Sequence, residues 1–272
     1  MVTDIPYPED RTYKPLMEPD VLRDVISISL WVGQMLLQHG ADSARVEETV
    51  HRLGTGLGCD WMDVIVQPHA IILTTVNNHH FRTKARRIPR MGVNMQVVSR
   101  ITDVVYQVDS KKMDRFDVRR ELVEIDEMPP QYNRWLVVVM VGLSCAAFSR
   151  LFGGNWETFA VTWLAASTGM WVRQQMHRLY FNMFLVVMGT AFVATLIASL
   201  AIQLFTYGIP DVAVAASVLL LVPGTPLINA VEDLINGHTL TGMARGITGL
   251  IIALNIAVGI TFALWITNRV IL

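Results

Sequence analysis

The sequence predicts an α-helical membrane protein with five transmembrane helices, one of them discontinuous, plus an N-terminal cytoplasmic α/β domain. Two observations predict this class. Hydrophobic residues make up 52% of the 272 residues and charged residues only 17%, which is more apolar than an average soluble protein. The charges are concentrated before residue 134, whereas long apolar stretches dominate residues 135–272. The chain therefore divides into a charged first part and an apolar second part.

The boundary between the two parts is expected at PPQYNR, residues 129–134, because paired prolines end helices. We assign residues 1–20 to an N-terminal tail, residues 21–130 to the cytoplasmic α/β domain and residues 131–272 to the membrane domain. The first residues lack a basic segment followed by an apolar run, so we expect no cleavable signal peptide.

The predicted α/β domain begins with two helices, at about residues 21–38 and 44–57. The runs WMDVIVQP and AIILTTV follow and favour a β-hairpin, with FRTKARRI as a further strand. Apolar residues then recur at helical spacing over residues 97–108 and 116–125. The domain has no glycine-rich phosphate loop, GxSxG, HExxH or CxxC motif, so we predict no catalytic site, cofactor or metal. Cys59 and Cys145 are expected to be reduced.

Five apolar segments qualify as membrane spans, since a helix needs about 20 apolar residues to cross a hydrocarbon core of about 30 Å. They are residues 135–152, 156–172, 180–205, 211–235 with a break at 223–226, and 246–267. An odd number of spans indicates one half of a transporter with two inverted halves. The alternative is a five-span protein that associates with itself.

The positions of arginines predict the orientation. Arg173, Arg178 and Arg245 lie in the loops that are cytoplasmic if the N-terminal domain is cytoplasmic, whereas the other side holds only Arg150 and Arg269. Five crossings then leave the C-terminus in the periplasm. The net charge of −1 argues against nucleic acid as a partner.

The fourth span contains the sequence VPGTPLINAVEDLINGH, residues 222–238. From Val212 to Val222 is 11 residues, about 16 Å at the helical rise, so the break should lie near the middle of the bilayer. Thr225 and Pro226 are suited to begin a second half-helix, and Gly237 is suited to end it. The N-terminus of such a half-helix can hold a carboxylate.

The position of the helix break near mid-bilayer predicts a transport site there. Its substrate-binding residues would be polar or helix-breaking groups near mid-bilayer, namely Pro223, Gly224, Thr225, Pro226, Asn229, Asn255, Ser144, Ser167 and Thr168. Asp233 and Glu232 are candidates for proton coupling, and Arg173, Arg178 and Arg245 for attraction of an anionic substrate. Two plainer interpretations stay open. The break can be a proline kink with its acidic residues at the cytoplasmic surface, and each hydroxyl can bond only its own helix.

The segments LLQHGADSARVEETVHRLG and LLLVPGTPLINAVEDLINGHTLTGMARG resemble the threonine/serine exporter family, and the likeness covers about residues 21–267. It is strongest to the split branch, in which a soluble domain and five spans form one subunit, a smaller membrane protein supplies the other half, and one bacterial pair is implicated in succinate export. The family's motifs match this chain at Pro223, Gly224, Pro226, Asn229 and Asp233, and at Gly40, Ala41, Arg45, Val46 and Glu47.

The resemblance implies a subunit of a secondary exporter in the bacterial inner membrane, with a small membrane subunit as partner and a small carboxylate as substrate. Succinate is the first expectation and threonine or serine the second. Higher homo- or hetero-oligomers stay open. An alternative of another class is a membrane-anchored metabolite sensor, but a broken, polar fourth span is not needed in an anchor. An enzyme is disfavoured by the missing catalytic motifs.

Overall fold

The computed structural model describes residues 14–77, 80–88, 92–129, 131–205 and 207–271. It divides into two compact units. Unit 1 comprises Met1–Met128 and Thr225–Gly246, and unit 2 comprises Pro129–Gly224 and Ile247–Leu272. Most of the predicted N-terminal tail lies outside the described residues. The second half of the predicted broken span is grouped with the N-terminal residues rather than with the other apolar helices.

The sheet of unit 1 has three antiparallel strands in the order β1–β2–β3. They are β1 (Trp61–Gln67), β2 (Ala70–Asn77) and β3 (His80–Arg87). Gln67 pairs with Ala70, so a two-residue turn joins β1 to β2, and the predicted hairpin is confirmed. Alternate β2 residues are buried, which is the pattern of a strand with one face on a core.

Four helices accompany the sheet, as the apolar spacing predicted. They are α1 (Pro19–Gln38), α2 (Ser43–Gly56), α3 (Met95–Asp109) and α4 (Arg115–Asp126). Their buried Leu, Ile and Val side chains form one hydrophobic core with β1 and β2. A Cβ atom added to Gly33 of α1 would lie 2.4 Å from the Ile71 side chain, so glycine lets α1 lie directly on the sheet.

The apolar part of the chain forms six further helices. They are α5 (Arg134–Leu151), α6 (Trp156–Arg178), α7 (Met183–Ala201), α8 (Pro210–Ser217), α9 (Gly224–Ile235) and α10 (Thr239–Ile271). Short 3₁₀ turns follow α7 and α8. In unit 2, α6 packs against α5, α7 and α8, and α7 contributes Val187, Ala191 and Ala194 to a small core with Ile252 of α10.

Among the described residues, three helices are long and apolar enough to cross a membrane, and a fourth span results if α8 and α9 are counted as one bent span. The three are α5, α7 with its 3₁₀ extension, and α10. The predicted span at 156–172 lies in α6, which is not among them. Its last third carries Arg173, Gln174, Gln175, His177 and Arg178, and these polar side chains lower its mean hydropathy. The structure thus supports three or four spans.

The fourth apolar segment is broken at Val222 and Pro223, at the start of the predicted break at residues 223–226. The α-helix of α8 ends at Ser217, a 3₁₀ turn covers Leu219–Leu221, and α9 begins at Gly224. This start is one residue before the predicted cap at Thr225. Gly237 ends the hairpin turn after α9 with φ 86°, and the His238 amide donates to the Asp233 carbonyl at 2.8 Å. This bond and the positive φ are typical of a glycine-terminated helix, so the predicted stop is confirmed.

The α9–α10 hairpin in unit 1 is closely packed at Gly242. A Cβ atom there would lie 2.8 Å from the Ala230 carbonyl oxygen and 3.1 Å from the Leu234 amide nitrogen. Both neighbours are backbone atoms and cannot turn aside. One helical turn later, a Cβ atom on Gly246 would meet only the Ala230 Cβ, at 3.8 Å, which is ordinary contact.

Gly242→Ala should therefore destabilise unit 1 although alanine favours helix, because separating α9 from α10 costs about 1–3 kcal/mol. Gly246→Ala is the matched control and should be neutral or stabilising by up to about 1 kcal/mol. The measurement is the free energy of unfolding of the purified protein in detergent. Equal stability of the two variants would contradict the close packing at Gly242.

Candidate functional site

The two segments on which the family resemblance rests come together in unit 1. The Asn229 side-chain amide donates to the Gly40 carbonyl at 2.9 Å, and the Ser43 backbone amide donates to the Asp233 carboxylate at 2.9 Å. The partners are 189 and 190 residues apart in sequence. We call this region, residues 40–47 with Asn229, Asp233, His238 and Arg245, the polar junction.

The local geometry of residues 40–43 explains why they accept and donate these bonds. Gly40 follows α1 with φ 94°, a conformation that favours glycine. Asp42 then caps α2 by accepting from the Arg45 amide at 2.8 Å. Ser43 is the first residue of α2, and amides in the first turn of a helix have no partner within it. The Asp233 carboxylate satisfies one such amide at the positive end of the helix dipole.

Asp233 and Arg245 form a buried ion pair. The Arg245 Nη1 atom donates to Asp233 Oδ2 at 2.8 Å, and Nη2 donates to the Ala41 carbonyl at 3.0 Å. Asp233 is fully buried and Arg245 is 9% exposed. Since the carboxylate binds Arg245 with one oxygen and the α2 N-terminus with the other, both charges are compensated, as a buried pair requires.

A histidine and a carboxyl group meet at the edge of the polar junction. Nδ1 of His238, in the α9–α10 turn, is 3.6 Å from the Glu47 carboxylate. Burial raises the pKa of Glu47, while His238 and a backbone hydrogen bond at Val66 lower it and the Asp233 charge raises it further. The fold therefore favours the neutral form of the Glu47 carboxyl group.

The predicted site residues of unit 1 have unequal surroundings. Asn229, Asp233 and Arg245 meet in the polar junction, whereas Glu232 is exposed and Thr225 and Pro226 are half-buried. Arg245 is occupied by Asp233 and Ala41 in this arrangement. Sequence reasoning gave no role to Ser43 or His238. The sequence marked these two residues only by their position inside the two segments that resemble the threonine/serine exporter family, near residues that match the family's motifs.

In unit 2, Arg173 lies beside the helix break. Its Nη1 atom donates to the Leu220 carbonyl at 3.3 Å, and Leu220 belongs to the 3₁₀ turn before Val222 and Pro223. The side chain is half-buried. Within the described residues, no Asp or Glu lies within ion-pair distance of it. By contrast, Arg178 at the end of α6 is exposed.

The remaining predicted substrate groups of unit 2 mostly bond their own helices. Ser144 donates to the Met140 carbonyl at 2.9 Å, Thr168 to Leu164 at 2.8 Å and the Asn255 amide to Ile251 at 2.8 Å. This is the plainer of the two interpretations of these residues.

Ser167 differs from these groups. Its Oγ atom is buried and has no hydrogen-bond partner among the described residues. A Cβ atom on Gly142 of α5 would lie 2.0 Å from that oxygen. Pro223 is buried and Gly224 is half-buried at the break.

The ion pair makes a testable contribution to stability. Asp233→Asn should cost about 3–5 kcal/mol in the free energy of unfolding, since it leaves the Arg245 charge buried without a partner. The double variant Asp233→Leu with Arg245→Met should recover most of this loss. Denaturant unfolding of the purified protein measures both. An Asp233→Asn variant as stable as the wild type would show that the pair is not compensating a buried charge.

The raised pKa of Glu47 gives a pH dependence with a defined sign. The folded state holds this proton more tightly than the unfolded state, so the contribution to stability is fully present below the ordinary pKa of 4.5 and is lost as pH rises through the raised value. As the pH rises from 4.5 through the raised pKa, the free energy of unfolding of Glu47→Gln should therefore fall less than that of the wild type. Glu48→Gln, which removes an exposed carboxylate from the same helix, is the control and should follow the wild type.

Comparison with known proteins identifies the family of the chain. The family model described as "Putative threonine/serine exporter" matches residues 27–267, which include the polar junction and the helix break. No solved structure is a significant match for the chain.

Three curated relatives cover most of the chain. The "Probable succinate transporter subunit YjjP" of Escherichia coli K12 is 40% identical over 92% of this chain and 97% of its own length. The protein of the same name from Klebsiella aerogenes is 40% identical over 89% of this chain and 93% of its own length. The "Probable threonine/serine exporter" of Mycobacterium tuberculosis is 23% identical over 89% of this chain but only 46% of its own length.

These relatives are named as probable transporters or exporters, and two of them carry the word subunit in their names. The family match covers the charged part and the apolar helices alike. The chain is therefore a membrane transport component that belongs to the threonine/serine exporter family.

Proposed function

We propose that the chain is one subunit of an inner-membrane secondary exporter of small carboxylates, with succinate as the leading substrate. The observation that carries this proposal is Arg173, a half-buried cation beside the helix break without a carboxylate partner among the described residues. The names of the two relatives at 40% identity favour succinate.

A substrate carboxylate would compensate the charge of Arg173. A partly buried cation costs free energy unless it is paired, and an arginine presents a planar fork that matches a carboxylate with two hydrogen bonds. The 3₁₀ turn and the break also leave backbone groups outside regular helical pairing, which is tolerated in a membrane where they line a cavity. Arg173 thus acts as the substrate ligand in this proposal, a more direct role than attraction from a distance.

The other predicted binding groups are ranked by whether their polar atoms already have hydrogen-bond partners in the structure. Ser167, with its unpartnered buried hydroxyl, is the second candidate to contact substrate, and Pro223 and Gly224 shape the break. Thr225, Pro226 and Asn229 follow at the start of α9. Ser144, Thr168 and Asn255 would have to exchange a bond to their own helix for one to the substrate.

Proton coupling is proposed at Asp233, with the exposed Glu232 as second candidate. Protonation of Asp233 would weaken its bond to Arg245, so transport would then be linked to opening of the polar junction. Arg245 could attract an anion only after such opening. Arg178, which is exposed, is better suited to attract substrate from the cytoplasm.

We propose five spans, with α6 as the span that composition alone does not identify. α6 packs against α5, α7 and α8, so much of its surface meets protein and need not be as apolar as a lipid-facing helix. Five spans would put the two ends of the chain on opposite sides of the membrane, and the arginine distribution favours a cytoplasmic N-terminal domain and a periplasmic C-terminus. They also call for a separate small membrane subunit, in keeping with the match to 46% of the longer Mycobacterium tuberculosis relative.

Threonine or serine is the second candidate substrate class, favoured by the name of that longer relative. The two classes differ in charge, since an amino acid carries an ammonium group that a dicarboxylate lacks. A single set of efflux measurements on one preparation separates them.

The test is efflux of radiolabelled succinate, threonine and serine from proteoliposomes that contain this chain and its co-encoded small membrane protein. Arg173→Gln should lower succinate efflux at least about tenfold, the effect of losing about 1.4 kcal/mol of substrate binding. Arg178→Gln removes the same charge from the exposed end of α6 and should lower efflux less than Arg173→Gln, because an exposed arginine attracts the substrate without binding it.

Two results would oppose the proposal. Absence of flux of any of the three substrates, under every imposed gradient and with both subunits present, would refute the exporter function. Wild-type efflux in a correctly inserted Arg173→Gln variant would leave the exporter intact but remove Arg173 as substrate ligand.

A further inference from the structure

A groove with many basic side chains lies in unit 1, away from the polar junction. Three elements form it: the exposed stripe of α1, the edge strand β3 and the start of α4. It consists of two adjoining cavities of about 560 and 340 Å³ that share Ser27 and Arg119 in their walls. These volumes are in the range of small-molecule sites.

The groove has more positive than negative charge. The charged residues of its walls are Arg23, Arg86, Arg115 and Arg119 with Glu18, Asp20 and Asp24. Lys84 bonds the wall residue Ser27, and Arg82 lies near Lys84. In the part of the chain that the structure describes, Arg119 with Asp24 is the single ion pair among them. Among the described residues, Arg23, Lys84 and Arg86 form no ion pair.

Two of the cations are held by neutral groups of α1. Lys84 Nζ donates to Ser27 Oγ at 2.7 Å, and Arg86 Nη1 donates to Gln34 Oε1 at 3.0 Å. These bonds fix the side chains without neutralising them. The pKa of Lys84 is lowered, first by burial and then by the charges of Arg23, Arg82 and Arg86, with only Asp24 opposing.

Protection of a sheet edge accounts for part of this arrangement. Arg82, Lys84 and Arg86 pair with Thr75, Leu73 and Ile71 of β2 and so share the face of the sheet that packs on the core. Inward-pointing charges on an edge strand discourage pairing with another chain. That role does not require the arginines of α1 and α4, which reach the same groove from two other elements.

We propose that this groove binds a small anion with two or more phosphate groups, held by Lys84, Arg86, Arg119 and Arg23. Lysine and arginine together are the usual ligands of phosphate oxygens. Trp31 lines the smaller cavity and Phe116 the larger one, so each offers an apolar surface to the organic part of the ligand. A soluble phosphorylated metabolite and an anionic lipid headgroup share this chemistry.

The test uses the full chain purified in detergent. Binding of ATP and of inorganic pyrophosphate is measured by calorimetry at constant ionic strength, and binding of dispersed cardiolipin, whose headgroup carries two phosphate groups, is measured on the same preparation. Lys84→Gln with Arg86→Gln should weaken binding at least about tenfold. Arg100→Gln, an exposed charge change on α3, should leave it unchanged.

Arg23→Gln is a second variant that leaves the edge strand intact and should also weaken binding. Saturable binding of the free anions supports the proposal and identifies a soluble ligand. Binding of cardiolipin alone, lost in the groove variants, supports it and identifies a headgroup. Equal weakening by Arg100→Gln, or no binding to any of these probes, overturns it.

Discussion

The Asp233 carboxylate is the interaction on which the arrangement of unit 1 depends. One of its oxygens accepts from the first amide of α2 and the other from Arg245, which in turn donates to the Ala41 carbonyl. A fully buried carboxylate is tolerated because both its oxygens are bonded and its charge is paired. α9, the first turns of α10 and the N-terminus of α2 are thereby tied together through one side chain.

This tie has a consequence for the helix break. α9 begins directly after Val222 and Pro223, and its polar face is bound to residues 40–47 by Asn229 and Asp233. A rearrangement of the break must either move α2 together with α9 or break the polar junction. Glu47 lies at the edge of the same junction, and burial raises its pKa.

The arginines of the chain fall into two groups that differ in their compensation. The Arg245 guanidinium donates to a buried carboxylate and to a carbonyl oxygen, so its charge stabilises the fold. Arg173, and Lys84 and Arg86 of the basic groove, are held by carbonyl, hydroxyl or amide oxygens, which orient a cation without balancing it. An anionic ligand would supply the missing charge in both places, once in unit 2 and once in unit 1.

The sequence by itself determined the features that depend on near neighbours. The helices, the hairpin of β1 and β2, the break at Pro223 and the stop at Gly237 follow from apolar periodicity and from the backbone restrictions of proline and glycine. Only the tertiary structure decided that Asn229 and Asp233 bond Gly40 and Ser43, because no local pattern encodes contacts between residues 190 positions apart. The depth argument treated α9 as an isolated half-helix with a free N-terminus, whereas the helix N-terminus that meets a carboxylate is that of α2, since its first amide lies opposite Asp233.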